Sequence, residues 1–179
     1  SALAERPHGP LGLGTDNVNT EPIEGLTTEQ TIEKQIAGHR ALGDIVIALV
    51  ATASTTEKGR FAPLKVIAEV AEKEGIWFHV DAAHGAALKL SHREKYRQLV
   101  DGLERADSVA FDPHKWFYIS YFNGVILFKD RRNLAYLIKS SSPDYILSEI
   151  NKSQGLIDLG RHSILGSKRF DALKLWFVF

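Results

Sequence analysis

Asp44-Ile45-Val46-Ile47-Ala48-Leu49-Val50-Ala51-Thr52 is an unbroken run of β-branched and aliphatic residues closed at both ends by turn formers. Its length and lack of polar alternation suit a parallel strand buried on both faces. Upstream, Thr27 and Gln30 form a capping box, and Ile32, Ile36 and Ala37 keep helical spacing until Gly43 stops the pattern. Downstream, Pro63 fits the first turn of a second helix, whose Leu64, Ile67, Ala68 and Ala71 make one apolar stripe ending at Gly75. Ile76-Trp77-Phe78-His79-Val80-Asp81 reads as the next strand. Short strands follow at 108–111 and 124–128, after an amphipathic stretch at 96–103.

Strands alternating with helices of this length predict right-handed βαβ crossovers, an α/β class and a mainly parallel sheet with flanking helices. In such sheets the loops at the carboxyl ends of the strands converge on the ligand. Three of those loops hold polar residues, at 52–59, 81–85 and 112–115. Elsewhere, residues 1–16 read as loop from Pro7, Gly9, Pro10, Gly12 and Gly14, and 18–23 as a short extended piece. The polar stretch 145–154 reads as a mobile loop, and 166–179 as a final helix.

Composition narrows the function classes. Lys plus Arg equals Asp plus Glu at 22 each, so no overall field favours nucleic acid or an anionic membrane. The absence of cysteine excludes disulfides, thiolate metal sites and a cysteine nucleophile, and it fits a reducing compartment, with the cytoplasm as the default. No apolar run approaches the length of a membrane span, and no motif calls for a metal. The 179 residues contain no methionine and end in Leu175-Trp176-Phe177-Val178-Phe179. An apolar end of this kind predicts continuation into a core or interface, and hence that the chain is a segment of a longer protein.

Two motifs place ionisable residues just past apolar strands: His79-Val80-Asp81-Ala82-Ala83-His84-Gly85, and Asp107-Ser108-Val109-Ala110-Phe111-Asp112-Pro113-His114-Lys115-Trp116. A lysine that can hold an aldehyde cofactor as a Schiff base, with a carboxylate to face a pyridinium nitrogen, is the pair that pyridoxal-phosphate (PLP) chemistry needs. Ala82, Ala83 and Gly85 leave room for a flat ring against the backbone. Taken singly, each residue has an ordinary reading. Asp81 serves equally as a turn former, Lys115 as a solvated lysine, His114 as a loop histidine, and His79 as a core histidine on the same strand face as Asp81.

Together the two motifs resemble the signature of the PLP-dependent group II amino-acid decarboxylases, including the aromatic-amino-acid, glutamate, cysteine-sulfinate and diaminobutyrate enzymes. The similarity extends through Leu11-Gly12-Leu13-Gly14, Ala51-Thr52-Ala53-Ser54-Thr55-Thr56 and Arg169-Phe170-Asp171-Ala172-Leu173-Lys174-Leu175-Trp176. The resemblance implies part of the large domain of the aspartate-aminotransferase fold, PLP fold type I, with 140–179 leading through an active-site loop and a helix toward a C-terminal domain. It implies that Lys115 bears the cofactor, Asp81 pairs with the pyridinium, Ala83 packs under the ring, and Thr56 reaches the ring's polar side. His114 and Asp112 then neighbour the phosphate. Tyr145 supplies a proton to the substrate carbon, and Ser167 approaches the phosphate of a neighbouring subunit, so the site is shared in a homodimer.

Three positions depart from the family pattern. Ser54 stands where glycine is usual, Ala62 where a helix-starting aspartate is common, and Asp112 where asparagine is frequent; a carboxylate at Asp112 repels a phosphate unless it turns away. The stretch expected to precede Ser1 in a full-length relative would hold the phosphate-cradling loop and a ring-stacking histidine. The rest of the same polypeptide or a second polypeptide segment completing the fold would supply them. The activity implied is removal of the α-carboxylate of an L-amino acid as carbon dioxide. Another PLP fold type I enzyme, a lyase or aminotransferase, stays open as an alternative, as does a truncated non-catalytic binding relative.

Overall fold

In the computed structural model, which describes residues 23–133 and 169–179, local signals set where the helices begin and end. Thr27 Oγ1 accepts the Gln30 N–H at 3.2 Å, and Gln30 Oε1 accepts the Thr27 N–H at 3.0 Å. This is the expected capping box, and it starts α1 (Thr28–Ala41) by satisfying N–H groups that have no acceptor within the helix. Pro63 caps α2 (Leu64–Glu74), standing just before the helix and not within its first turn. Gly75 ends it at φ +64°, a left-handed conformation that favours glycine. The predicted stripe Leu64, Ile67, Ala68 and Ala71 is buried, joined by Val70.

The two helices lie against one face of the sheet. Arg40 pairs with Glu74 and Lys73 with Glu33 across their exposed rims, but such pairs contribute at most about 1 kcal/mol each. Burial decides the packing: Ile32, Ile36, Leu64 and Ile67 sit with Leu49, Ala51, Phe78 and Val80 in one cluster. Each such aliphatic or aromatic side chain stabilises the fold by about 1.5–3 kcal/mol. A close backbone approach occurs at Gly102, at φ +99°, where an added Cβ would lie 2.6 Å from the Lys65 nitrogen.

The sheet has the order β1 (Ala48–Thr52), β2 (Trp77–Asp81), β3 (Ser108–Phe111), β4 (Val125–Phe128). β1 and β2 are parallel, with Leu49 opposite Phe78 and Thr52 opposite Asp81; β2 and β3 are parallel, with Asp81 opposite Ala110. β4 runs antiparallel to β3, Phe111 facing Val125. The connection from β1 to β2 is α2. The one from β2 to β3 passes through a 3-10 turn (Gly85–Leu90), the short α3 (Glu94–Arg97) and two further 3-10 turns. The α/β, mainly parallel architecture expected from the sequence is present, with an antiparallel edge.

Three details differ from the sequence reading. Ladder pairing in the first strand begins at Ala48 and not at Asp44; Ile45 and Ile47 are 87% and 73% exposed, although the Ile47 carbonyl still accepts the Trp77 N–H at 3.2 Å. β1 is also not buried on both faces: Leu49 and Ala51 enter the core, whereas Val50 is 45% exposed on the face that α1 and α2 do not cover. The last helix, α4, covers Ala172–Val178. The expected loop at 145–154 lies outside the described residues.

Candidate functional site

The three polar loops do meet, and backbone hydrogen bonds join them. Ala53 N–H donates to the Asp81 carbonyl at 2.8 Å, Ala82 N–H to the Ala110 carbonyl at 2.8 Å, and Asp112 N–H to the Ala83 carbonyl at 3.3 Å. Parallel pairing thus continues one or two residues past each strand, so the segments after β1, β2 and β3 leave the sheet side by side. Asp81, Ala83, Asp112, His114 and Lys115 share this edge.

Asp81 is exposed at the end of β2, and its Oδ1 accepts the Ala83 N–H at 3.0 Å. The carboxylate therefore forms its own turn, as the turn-former reading expects, while keeping the other oxygen available. Gly85 has a different use from the one expected. An added Cβ there would lie 2.5 Å from the Ala53 carbonyl oxygen, and its N–H donates to that same oxygen at 3.2 Å. The smallness of Gly85 seats the turn after β2 on the end of β1, and the space it leaves is filled by Ala53, not by a ring.

Lys115 sits in the turn after β3, which closes through Lys115 N–H to the Asp112 carbonyl at 2.9 Å and Ile119 N–H to the Pro113 carbonyl at 3.1 Å. Pro113 is buried between them. Lys115 Nζ lies 2.8 Å from Asp112 Oδ2. His114 points its Nδ1 at the Asn123 carbonyl, 2.9 Å away. A carbonyl only accepts, so Nδ1 carries a hydrogen and Nε2 of the neutral ring keeps its lone pair. The imidazole stacks on Tyr121 with centroids 4.3 Å apart. Asn123 is buried and donates from Nδ2 to the Asp171 carbonyl, which ties the loop before β4 to the start of α4. Thr56 is exposed in the loop after β1. Within that loop Thr55 Oγ1 accepts the Arg60 N–H, and Ser54 is buried at φ +75°, a conformation that explains why glycine would be easier there. Tyr145 and Ser167 lie outside the described residues.

One network escaped the sequence reading. Trp77 Nε1 donates to Ser108 Oγ at 2.9 Å, and His79 Nδ1 lies 2.7 Å from the same oxygen. Trp77 can only donate, so it occupies one lone pair of the Ser108 oxygen, and His79 Nδ1 shares the same hydroxyl. Burial pushes the His79 pKa below its ordinary value, and the nearby Asp81 charge and Ser108 oppose that shift without reversing it. A neutral imidazole thus stands on the Asp81 face of β2. Tyr121, Asn123 and Ser108 could not have been found from spacing, because each reaches its partner through strand pairing or a loop return.

The family model described as the pyridoxal-dependent decarboxylase conserved domain matches residues 13–179. L-2,4-diaminobutyrate decarboxylase of Acinetobacter baumannii is 39% identical over 93% of this chain and 32% of its own length. Cysteine sulfinic acid decarboxylase of Mus musculus is 36% identical over 94% of this chain and 34% of its own length. The crystal structure of Oryza sativa TDC with PLP and tryptamine superposes with a TM-score of 0.73 at 27% identity, covering 84% of this chain and 30% of that one. The chain therefore spans about a third of the relatives it matches, and by the family model and these identities it belongs to the pyridoxal-dependent decarboxylase family.

Proposed function

We propose that the complete polypeptide removes the α-carboxylate of an L-amino acid as carbon dioxide, with PLP as cofactor, and leaves the corresponding amine. The observation that carries this reading is the juxtaposition of Asp81 and Lys115 at the ends of paired strands, joined through Ala82–Ala110 and Asp112–Ala83. The residues fit the cofactor: an exposed carboxylate with one oxygen available suits a pyridinium, and a partly exposed amine one strand away suits an aldehyde. PLP, when bound, supplies a sink for the electron pair left on the α-carbon as the carboxylate departs.

The chain's own groups divide the remaining work. Asp81 keeps the ring nitrogen protonated, and its hydrogen bond from Ala83 N–H holds the carboxylate in place while Ala83 supports the ring. Lys115 anchors the cofactor. His114, with Nδ1 committed to Asn123, presents Nε2 to the phosphate side. Thr56 contributes a hydroxyl from the neighbouring loop, and Asp112 borders the phosphate. Tyr145 is assigned delivery of the proton to the substrate carbon: a phenol with an ordinary pKa of about 10 is protonated at neutral pH. Ser167 is assigned to the phosphate of a partner subunit, which makes the working unit a homodimer in the cytoplasm. The phosphate-cradling loop and the ring-stacking histidine then come from other parts of the polypeptide.

Relatives named for a diamino acid and for a sulfinic acid leave the side-chain preference open. The complete protein should be loaded with PLP and offered a panel of acidic, basic and aromatic L-amino acids, with carbon dioxide and amine measured together. Stoichiometric release of both from at least one substrate is expected. Transfer of the amino group to a keto acid, with no carbon dioxide from any substrate, would overturn the reading in favour of an aminotransferase.

A further inference from the structure

Asp112 carries a charge that the proposed chemistry does not require, at a position where it meets the cofactor-bearing lysine. Its Oδ2 lies 2.8 Å from Lys115 Nζ, and the two side chains are almost equally exposed, at 31% and 30%. The backbone builds this pair. Lys115 N–H donates to the Asp112 carbonyl and closes the turn, while Asp112 N–H donates to the Ala83 carbonyl and fixes the turn to β2. Pro113, fully buried between them, restricts the backbone further. On its other side the carboxylate borders the loop before β4, where a Cβ on Gly124 would lie 3.6 Å from Asp112 Oδ1. His114 directs Nδ1 to Asn123 and does not compete for the amine through that nitrogen.

An ammonium held by a carboxylate is not a nucleophile, because its nitrogen lone pair is occupied by a proton. To capture an aldehyde, Nζ must leave Asp112 and lose one proton to solvent. The amine nitrogen then adds to the aldehyde carbon, and the two hydrogens left on nitrogen depart with the aldehyde oxygen as water, leaving a carbon–nitrogen double bond. Resting on the reading of Lys115 as the cofactor-bearing lysine, we propose that Asp112 is a positioning residue that holds Lys115 as a paired ammonium and so limits the rate at which the protein captures its aldehyde cofactor. This gives a purpose to the departure from asparagine: the carboxylate turns toward the lysine.

The test uses the complete protein freed of cofactor, mixed separately with PLP and with pyridoxal, which lacks the phosphate. Capture is followed by the growth of the bound-cofactor absorption band in the parent, Asp112→Asn and Asp112→Glu. A partly exposed ion pair is worth a factor of about two to five. Asp112→Asn should therefore accelerate capture of PLP and pyridoxal by the same factor in that range, and Asp112→Glu, which retains the charge, should stay near the parent rate. Unchanged or slower capture in Asp112→Asn would overturn the proposal, as would acceleration confined to PLP, which would mean that the carboxylate acts on the phosphate. Borohydride trapping and peptide mapping on the same samples separate the two levels. A label on Lys115 with unchanged rates overturns the role of Asp112 alone, whereas a label on another lysine overturns the Lys115 reading and this proposal together.

Discussion

Replacing Gly85 by alanine tests how the turn after β2 is held. The new Cβ would lie 2.5 Å from the Ala53 carbonyl oxygen, 2.9 Å from its carbonyl carbon and 3.0 Å from its Cβ. None of these is the end of a flexible side chain. Ala53 is fully buried, its N–H is bound to the Asp81 carbonyl, and it bridges to Phe61, so it cannot step aside cheaply. Overpacking against fixed backbone costs about 1–3 kcal/mol, and stretching the Gly85 N–H bond to Ala53 costs about 1 kcal/mol more. The reduced freedom of the unfolded chain returns about 0.4–1 kcal/mol. Net destabilisation of about 1–3.5 kcal/mol is expected. Gly38, in the interior of α1 with nothing within 4 Å of an added Cβ, is the control, and alanine there should stabilise by about 0.5–1 kcal/mol. Urea unfolding of both variants in the complete protein reads the difference as opposite shifts of the midpoint at unchanged slope. If Gly85→Ala unfolds at or above the parent midpoint, the turn is not seated on Ala53 as described.

Other consequences are more briefly stated. Ser54→Gly relieves a left-handed residue that costs about 1–2 kcal/mol, less glycine's own entropy, so its urea midpoint should rise by the equivalent of about 0.5–1 kcal/mol. Burial lowers the His79 pKa from 6.5, so below that pH the unfolded chain binds the proton first and stability falls as pH drops toward the folded value. Midpoints measured from pH 8 to 5 should fall more steeply for the parent than for His79→Gln. Asp81→Ala, saturated with PLP, should lose about 100- to 1000-fold in turnover, equivalent to roughly 2.7–4 kcal/mol of lost charge stabilisation; near-normal carbon dioxide release would remove Asp81 from the chemistry.

What was legible in the sequence was local. The Thr27–Gln30 box, the Gly75 stop and the apolar stripe of α2 depend on residues a turn apart, and each appears in the structure. The βαβ alternation places Asp81 and Lys115 at strand ends because a parallel strand must emerge at the same edge as its neighbour. Features set by long-range pairing were not legible. The direction of β4 is decided by Phe111 meeting Val125, which no periodicity records. Ile45 and Ile47, both exposed ahead of the ladder, look like interior strand residues until the pairing is known. Gly85 read as ring clearance because its neighbour Ala53 belongs to a different loop. Ser108 read as an ordinary strand residue because its two partners, Trp77 and His79, come from β2. At Asp112 the sequence showed the charge, and only the folded turn showed where the charge points.

The central claim is that Lys115 carries the cofactor. The complete protein should be loaded with PLP, reduced with borohydride, digested and mapped by mass spectrometry. The account predicts a pyridoxyl group on the peptide containing Pro113-His114-Lys115-Trp116, located at Lys115, and no such label in Lys115→Ala. A pyridoxyl group on any other lysine, or labelling undiminished in Lys115→Ala, would contradict it.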